Sequence, residues 1–281
     1  MNILSLYRHL PIRVRDSVKY SYFIISILAT ILAISGLSLK DLGETTISCN
    51  IFYTIIFFIV VFSVIYILLG FIFKKSITLS VGGNIVEISH GDIFESSGLR
   101  VIGCDANFNT KVDDIVISKK SLHGKLILEH GIENDIIQAI QNEAKRLSLK
   151  KTDEGKYDFP LGSIIPYESA TDGQIYLLLS MTKLDSSYKA HTDLSTYEST
   201  LIEMWKQIDR IYSGRDIVLP LLGDGITRFN DGPVVSSELL RCMLCTLYVS
   251  RIVFKAKLNI LLYNTDFPLY EYKNILHSIP K

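Results

Sequence analysis

Two glycines flank an aspartate in the stretch Ile217–Phe229, which reads IVLPLLGDGITRF. The unbroken apolar run Ile217–Leu219 that opens it is typical of a strand buried on both faces. Gly223–Gly225 then predict a turn, and Ser236–Ser237 can cap a helix that begins near Glu238. Glycines at such a strand-to-helix junction let backbone N–H groups approach a phosphate closely. A turn that binds no ligand explains the same residues.

The charge balance and the cysteine content narrow the classes of function. The chain of 281 residues carries 29 basic and 29 acidic side chains, so no excess of positive charge supports nucleic-acid binding. Cys242 and Cys245 form a CxxC motif, but it lies in a helical pattern without a second pair. Buried apolar packing explains these cysteines better than a zinc or redox site. We therefore predict no metal and no cofactor.

Two long uncharged segments precede residue 76, at residues 20–39 and 51–73. At ~1.5 Å per residue, each is long enough to cross a ~30 Å hydrocarbon layer as a helix. A pair of buried core helices is the alternative, whereas a cleaved signal peptide fits poorly because a second long segment follows the first. The pattern therefore predicts an N-terminal segment, 1–19, and two transmembrane helices within residues 20–75.

Basic residues around these segments predict their orientation. They lie before the first segment (Arg8, Arg13, Arg15, Lys19), between the two (Lys40) and after the second (Lys74, Lys75). Because basic flanks stay in the cytoplasm, both termini and the domain 76–281 are expected there, held at the cell inner membrane by two spans. Membrane lipid is therefore an expected partner. Two spans cannot line a pore alone, which predicts a homo-oligomer.

Short apolar runs alternate with helical patterns after residue 76. The predicted strands are Ile77–Val81, Asn84–Ile88, Leu99–Cys104, Ile115–Ser118, Gln174–Met181, Ile217–Leu219 and Leu258–Tyr263. The predicted helices lie within Ser121–Arg146 and over Asp193–Tyr212, Ser237–Phe254 and Leu269–Leu276. This alternation predicts an α/β fold with a mixed sheet covered on both faces. Ligands of such sheets bind where strands end and helices begin, here after Ile88, Cys104 and Leu219.

Six motifs occur in the order of a macro domain, and the resemblance covers about residues 76–276. They are HGDIF (His90–Phe94), VIGCDANFNT (Val101–Thr110), VISKKSLHGKLI (Val116–Ile127), FPLGSIIPY (Phe159–Tyr167), QIYLLLSMTKLD (Gln174–Asp185) and VLPLLGDGITRF (Val218–Phe229). The resemblance implies a three-layer α/β/α macro-domain fold. With two spans ahead of it, the arrangement resembles the membrane effectors of type II Thoeris anti-phage defence systems.

The resemblance implies a pocket for ADP-ribose or a derivative of it. Asp92 matches the residue that accepts a hydrogen bond from the adenine amino group, with the Ile93 backbone beside it; a turn cap is the alternative. Asp105 and Asn107 match positions near the distal ribose, with an Asx turn as the alternative. The two phosphate loops match Ser121, Leu122, His123, Gly124 and Lys125, and Gly223, Asp224, Gly225, Ile226 and Thr227.

Four of the candidate residues have equally simple structural interpretations. His123 either faces the ligand or packs, and Lys125 either adds charge or is solvated. Phe229 and Asn264 are further candidates for the base or ribose, and each also fits a purely structural role.

The chain departs from the macro-domain hydrolases, which carry a glycine-run loop and an N-A-A-N-type segment. Here the loop reads SKKSLHGK and the segment CDAN, and no Ser-His-Asp order replaces them, so we predict no catalytic residue. The resemblance implies a membrane-anchored sensor that binds an NAD-derived signal made by a TIR-domain partner enzyme and triggers membrane disruption and cell death. The alternatives are a membrane-bound ADP-ribosyl hydrolase and an ADP-ribose-reading recruitment module.

Overall fold

The computed structural model describes residues 12–34, 47–72, 76–225, 227–263 and 269. The chain divides into two compact units, with a boundary between Lys75 and Ser76. Ile226, Asn264 and, apart from Leu269, the predicted helix Leu269–Leu276 lie outside the described residues.

The described residues of the first unit form two helices, α1 (Ile12–Ile34) and α2 (Ile47–Ile72), which contact each other. Helical structure therefore covers most of the two segments predicted to span a membrane. Within the parts of the chain that the structure describes, however, no helix combines the length and the apolar character that a crossing requires.

The second unit is built on one mixed β-sheet. Its described strands are β1 (Ser76–Val81), β2 (Asn84–His90), β3 (Leu99–Asp105), β4 (Ile164–Glu168), β5 (Ile175–Leu184), β6 (Ala190–Thr192), β7 (Ile217–Pro220), β8 (Arg228–Phe229) and β9 (Leu258–Leu262). They follow the order β1-β2-β9-β7-β3-β5-β6-β8, with β4 beside β5. The neighbours β2, β9, β7, β3 and β5 are parallel, so their carboxyl ends meet at one edge.

Helices pack on this sheet. They are α3 (Leu122–Lys125, continued by a π turn Leu126–His130), α4 (Glu133–Arg146), α5 (Leu194–Ile211) and α6 (Ser236–Ser250); a short 3-10 turn spans Ile93–Glu95. Helix α4 buries Ile136, Ile140 and Ala144 at helical spacing. Helices α5 and α6 contact each other, where the Trp205 indole N–H donates to the Thr246 hydroxyl at 3.2 Å.

The predicted strand Ile115–Ser118 is wrong. Only an isolated bridge between Val112 and Ile117 occurs there. The Asp113 carboxylate accepts the N–H groups of Ile115 and Val116 at 2.9 and 2.8 Å. An aspartate that captures these donors holds a turn in place of a strand.

Both predicted ends of the helix 237–254 also differ from the structure. Helix α6 begins at Ser236, whose hydroxyl bonds to Asp224 and does not cap the helix. The helix ends at Ser250 because Arg251 adopts a left-handed conformation, with φ of 60°. Beyond it, the buried Asn84 donates to the Ile252 carbonyl and accepts the Phe254 N–H, each at 2.8 Å.

Candidate functional site

A cleft of about 1050 Å³ opens at the edge where the parallel strands end. Gly91 and Asp92 line it directly after β2, and Cys104 and Asp105 line it at the end of β3. The turn after β7 and Tyr263, after β9, complete this edge. The strand ends singled out from the sequence therefore open into one concavity.

Most of the predicted site residues line this cleft: Asp92, Asp105, Ser121, Leu122, His123, Lys125, Gly223, Asp224, Gly225 and Thr227. Ile93, Asn107 and Gly124 do not line it. Ile93 lies in the apolar core and is 2% exposed. Gly124 lies against the Ser118 carbonyl, where an added Cβ would collide, so its lack of a side chain serves the tight packing of this turn.

Asp92 caps the 3-10 turn that follows β2. Its Oδ1 accepts the Phe94 N–H at 2.9 Å. Its second oxygen, Oδ2, accepts no hydrogen bond from a described residue. The carboxylate is thus oriented by the turn while one oxygen stays available at the cleft wall.

Asp105 forms an Asx turn at the end of β3. Its carboxylate accepts the N–H of Asn107 at 2.9 Å and the side-chain amide of Asn109 at 2.8 Å. The Asn107 amide in turn donates to the Tyr157 carbonyl at 2.9 Å. These bonds hold the loop, and Asn107 has no access to the cleft.

Ser121 begins the short helix α3 at the cleft. Its hydroxyl accepts the Gly124 N–H at 3.0 Å and donates to the Ser118 carbonyl at 2.7 Å. The next two N–H groups, of Leu122 and His123, donate to no described residue, as expected for the first turn of a helix. Two backbone donors are therefore free beside the cleft.

The turn after β7 is fixed by contacts on its far side. Gly223 has a φ of +85°, a conformation that favours glycine. The Tyr197 hydroxyl donates to the Leu222 carbonyl at 2.8 Å, and the Ser236 hydroxyl bonds to the Asp224 carboxylate. Phe229 does not line the main cleft; its ring packs edge-on against Tyr197 at 5.6 Å and borders a smaller cavity.

His123 is 6% exposed and lines the cleft. Burial lowers the pKa of His123 from 6.5 to about 4, although the Asp105 carboxylate beside it opposes the shift. Its imidazole is therefore neutral at physiological pH. A neutral ring offers a ligand one donor and one acceptor without adding positive charge.

This low pKa predicts a loss of stability in mild acid. Between about pH 6.5 and about pH 4 the unfolded chain binds more protons at this residue than the folded chain, so stability falls as pH falls across that window. The expected contribution is on the order of 3 kcal/mol. Chemical denaturation of wild type and His123→Gln at both ends of the window measures it; equal losses in both proteins would contradict the prediction.

Two lining residues form a contact that the sequence did not reveal. The Lys125 ammonium lies over the Tyr263 ring, 5.5 Å from its centroid. Tyr263 is 71% exposed, so its ring is accessible at the cleft that it lines. Its position directly after the last strand was the available signal.

The model of the family described as Thoeris protein ThsA, Macro domain, matches residues 86–263, more than half of the chain. The chain belongs to the Thoeris ThsA macro-domain family. The Thoeris protein ThsA of Bacillus amyloliquefaciens (strain Y2) is 33% identical over 222 residues, which cover 75% of this chain and 74% of that protein.

Solved macrodomains share the fold of this ThsA family member. A mutant macrodomain of Oceanobacillus iheyensis with ADPR aligns with a TM-score of 0.50 and 15% identity, over 73% of this chain and 98% of that one. The same macrodomain with ADP gives a TM-score of 0.50 at 14% identity, over 73% and 96%. The mixed α/β fold predicted from the sequence is confirmed.

The CxxC motif of this chain is packed in helix α6. Burial raises the pKa of the Cys242 thiol to about 12, helped by the nearby Glu198 carboxylate, which the thiol approaches at 3.6 Å. A thiol held in its protonated form is a poor nucleophile and a poor metal ligand. Across the described residues, no group of three or more side chains suited to a metal ion occurs.

Proposed function

We propose that this chain is a sensor of Thoeris defence whose macro domain binds an ADP-ribose-type nucleotide. One observation supports this most: both predicted phosphate loops and Asp92 line a single cleft, with free backbone donors at the first loop. A volume of about 1050 Å³ is ample for a nucleotide, since small-molecule sites typically span roughly 300–1,000 Å³.

In this proposal the diphosphate lies between the two loops. The N–H groups of Leu122, His123, Gly223 and Gly225, which donate to no described residue, supply donors to it, and Lys120 and Lys125 add positive charge at the same wall. The Asp224 N–H is already used, because it donates to the Leu221 carbonyl at 3.4 Å. The Asp224 carboxylate would repel an anion, but it accepts a hydrogen bond from the Ser236 hydroxyl, which fixes its position. The free oxygen of Asp92 then accepts a hydrogen bond from the adenine amino group.

The polar side chains near the expected distal ribose are already hydrogen-bonded within the protein, which favours binding of the ligand without turnover. Asp105 and Asn107 are the polar residues that the resemblance places there. The loop itself uses both, Asp105 in the Asx turn and Asn107 in its bond to Tyr157. The loop thus engages both side chains in hydrogen bonds of its own, which favours a sensor over an ADP-ribosyl hydrolase.

Calorimetry with the purified full chain tests this proposal. We expect one ADP-ribose to bind per chain, and no release of ADP-ribose from an ADP-ribosylated protein incubated with it. Absence of binding would reject the sensor, and turnover would favour the hydrolase.

The proposed output is membrane disruption by several copies, in response to a signal from a TIR-domain partner. Support comes from the helices α1 and α2, whose described side chains include large apolar residues that are half or more exposed, such as Tyr22 (72%), Phe23 (62%), Ile55 (53%) and Ile59 (55%). Such side chains favour burial in lipid or against further copies. Localisation at the inner membrane with cytoplasmic termini is part of this proposal.

Dye release from lipid vesicles tests the output. The full chain is incorporated into vesicles, and ADP-ribose or the small-molecule product of a TIR-domain enzyme is added outside. We expect release that depends on both protein and nucleotide. Binding without release would instead support a recruitment module.

A further inference from the structure

Five side chains of the second unit form a connected cluster that does not line the cleft. We name it the clamp, and its members are Phe94, Arg100, His130, Asp172 and Tyr176. They come from the turn after β2, from β3 and β5, from the end of the π turn after α3 and from the turn before β5. The clamp therefore joins the elements that carry Asp92 and the first phosphate loop.

Phe94 connects directly to Asp92 on one side and to His130 on the other. Its N–H donates to Asp92 Oδ1 at 2.9 Å. Its ring stacks on the His130 ring with 4.2 Å between centroids and 5° between planes. His130 ends the π turn that continues α3, so this stack links the Asp92 turn to the helix that Ser121 caps.

His130 is itself held in place. Its carbonyl accepts the Ser169 hydroxyl, and its Nδ1 lies 3.6 Å from Asp172 Oδ2. The same Asp172 oxygen accepts the Tyr176 hydroxyl at 2.6 Å and lies 3.5 Å from Arg100 Nη1. Burial by itself would raise the pKa of Asp172, but the hydrogen bonds from the Tyr176 hydroxyl and the Gln174 N–H and the charge of Arg100 lower it overall.

Arg100 connects the clamp back to the Asp92 turn through hydrogen bonds. The guanidinium is 5% exposed and donates through Nε and Nη2 to the Ser96 carbonyl at 2.9 and 2.6 Å. The Ser96 hydroxyl donates to the Asp92 carbonyl at 2.9 Å. Charged hydrogen bonds inside a protein are strong and geometrically demanding, so this circuit fixes both ends of the Asp92 turn.

We infer that the clamp positions Asp92 for the purine, so that Phe94 and His130 set base selectivity without touching the ligand. This inference rests on the proposed function. A carboxylate distinguishes an amino group from a carbonyl only when its free oxygen is aimed correctly, because hydrogen bonds weaken steeply with misalignment. A loosened turn would keep the carboxylate but would no longer orient its free oxygen toward the amino group.

Selectivity between two nucleotides measures this role. The full chain is titrated with ADP-ribose and with the analogue that carries hypoxanthine in place of adenine, which has a carbonyl where adenine has the amino group. We expect wild type to prefer ADP-ribose by about tenfold or more. His130→Ala should reduce this preference to near one, and His130→Phe, which keeps a ring for the stack, should retain it.

Further variants separate positioning from a general loss of stability. Phe94→Leu removes the stack from the other side and should lose selectivity as His130→Ala does. Tyr212→Leu removes an aromatic contact with Phe254, whose ring centroid lies 5.1 Å from that of Tyr212 and away from the cleft. This variant should retain the selectivity of wild type. Thermal unfolding of each variant shows which proteins are folded at the assay temperature.

The possible failures are distinguishable. Wild-type selectivity in folded His130→Ala and Phe94→Leu would overturn the positioning inference and leave the proposed function intact. Failure of wild type to bind either nucleotide would instead overturn the proposed function. A wild type that binds both equally would remove Asp92 from purine reading, and the clamp inference with it.

Discussion

ADP-ribose binding is expected to fall by more than about 100-fold when Gly223 is replaced by valine, which corresponds to roughly 3 kcal/mol. A β-branched residue is strongly disfavoured at a φ of +85°. Its Cβ would also lie in contact with side chains, 3.4 Å from Tyr197 and 3.5 Å from Leu239 and Met181, so the strain of the left-handed backbone is added to a packed surface. The turn must therefore move, and its backbone donors move away from the diphosphate.

This mechanism differs from simple obstruction of the cleft, because the added Cβ faces side chains and not open space. Gly214→Val is the matched control: Gly214 has a φ of +75°, has no atom within 4 Å of an added Cβ, and does not line the cleft. Both variants should lose stability from backbone strain, on the order of 1–3 kcal/mol. Only Gly223→Val should lose binding in calorimetry; wild-type affinity in that variant would remove the second loop from the site.

Asp92→Asn should weaken ADP-ribose binding by about 1–3 kcal/mol, or roughly 5- to 150-fold. The amide oxygen of asparagine can still accept the Phe94 N–H that Asp92 accepts at 2.9 Å, so the turn cap is kept. The amide nitrogen then takes the place of the free oxygen and meets the adenine amino group, donor against donor.

Asp92→Ala completes the comparison, because it removes the cap as well as the acceptor. Its unfolding free energy should fall by about 0.5–2 kcal/mol relative to wild type, whereas that of Asp92→Asn should stay near the wild-type value. Calorimetry and denaturation of both variants measure the two effects separately. Unchanged affinity in Asp92→Asn would show that this carboxylate acts only as a cap.

The sheet and its ligand edge were largely predictable because long apolar strands are a strong local signal. The runs around Leu99–Cys104, Gln174–Met181 and Leu258–Tyr263 became β3, β5 and β9. Strands β6 and β8 have only three and two residues, too few for a period to be read. Strand β4 carries Pro166, which argues against a central strand but is tolerated there because β5 is the only described strand that β4 pairs with.

The details of the site depend on contacts between distant residues, which a sequence does not display. The pattern around Asp105 fitted both a ribose contact and an Asx turn, and the structure shows the turn. Nothing local indicated that Asn107 bonds to Tyr157 or that Phe94 stacks on His130. Likewise, the apolar residues after Ser250 continued a helical pattern, but the left-handed Arg251 ends the helix and the bonds of Asn84 to Ile252 and Phe254 hold the segment beyond it.

The register of β1 on β2 places the Asp92 turn close to the point where the chain enters the sheet. The chain joins the sheet at Ser76, which pairs with Ser89, close to where β2 leads into Asp92. The turn after β7 is separated from β1 by both β9 and β2. By strand pairing, the Asp92 turn therefore lies one ladder from the point where the chain enters the sheet, whereas the turn at Gly223 lies three ladders from it.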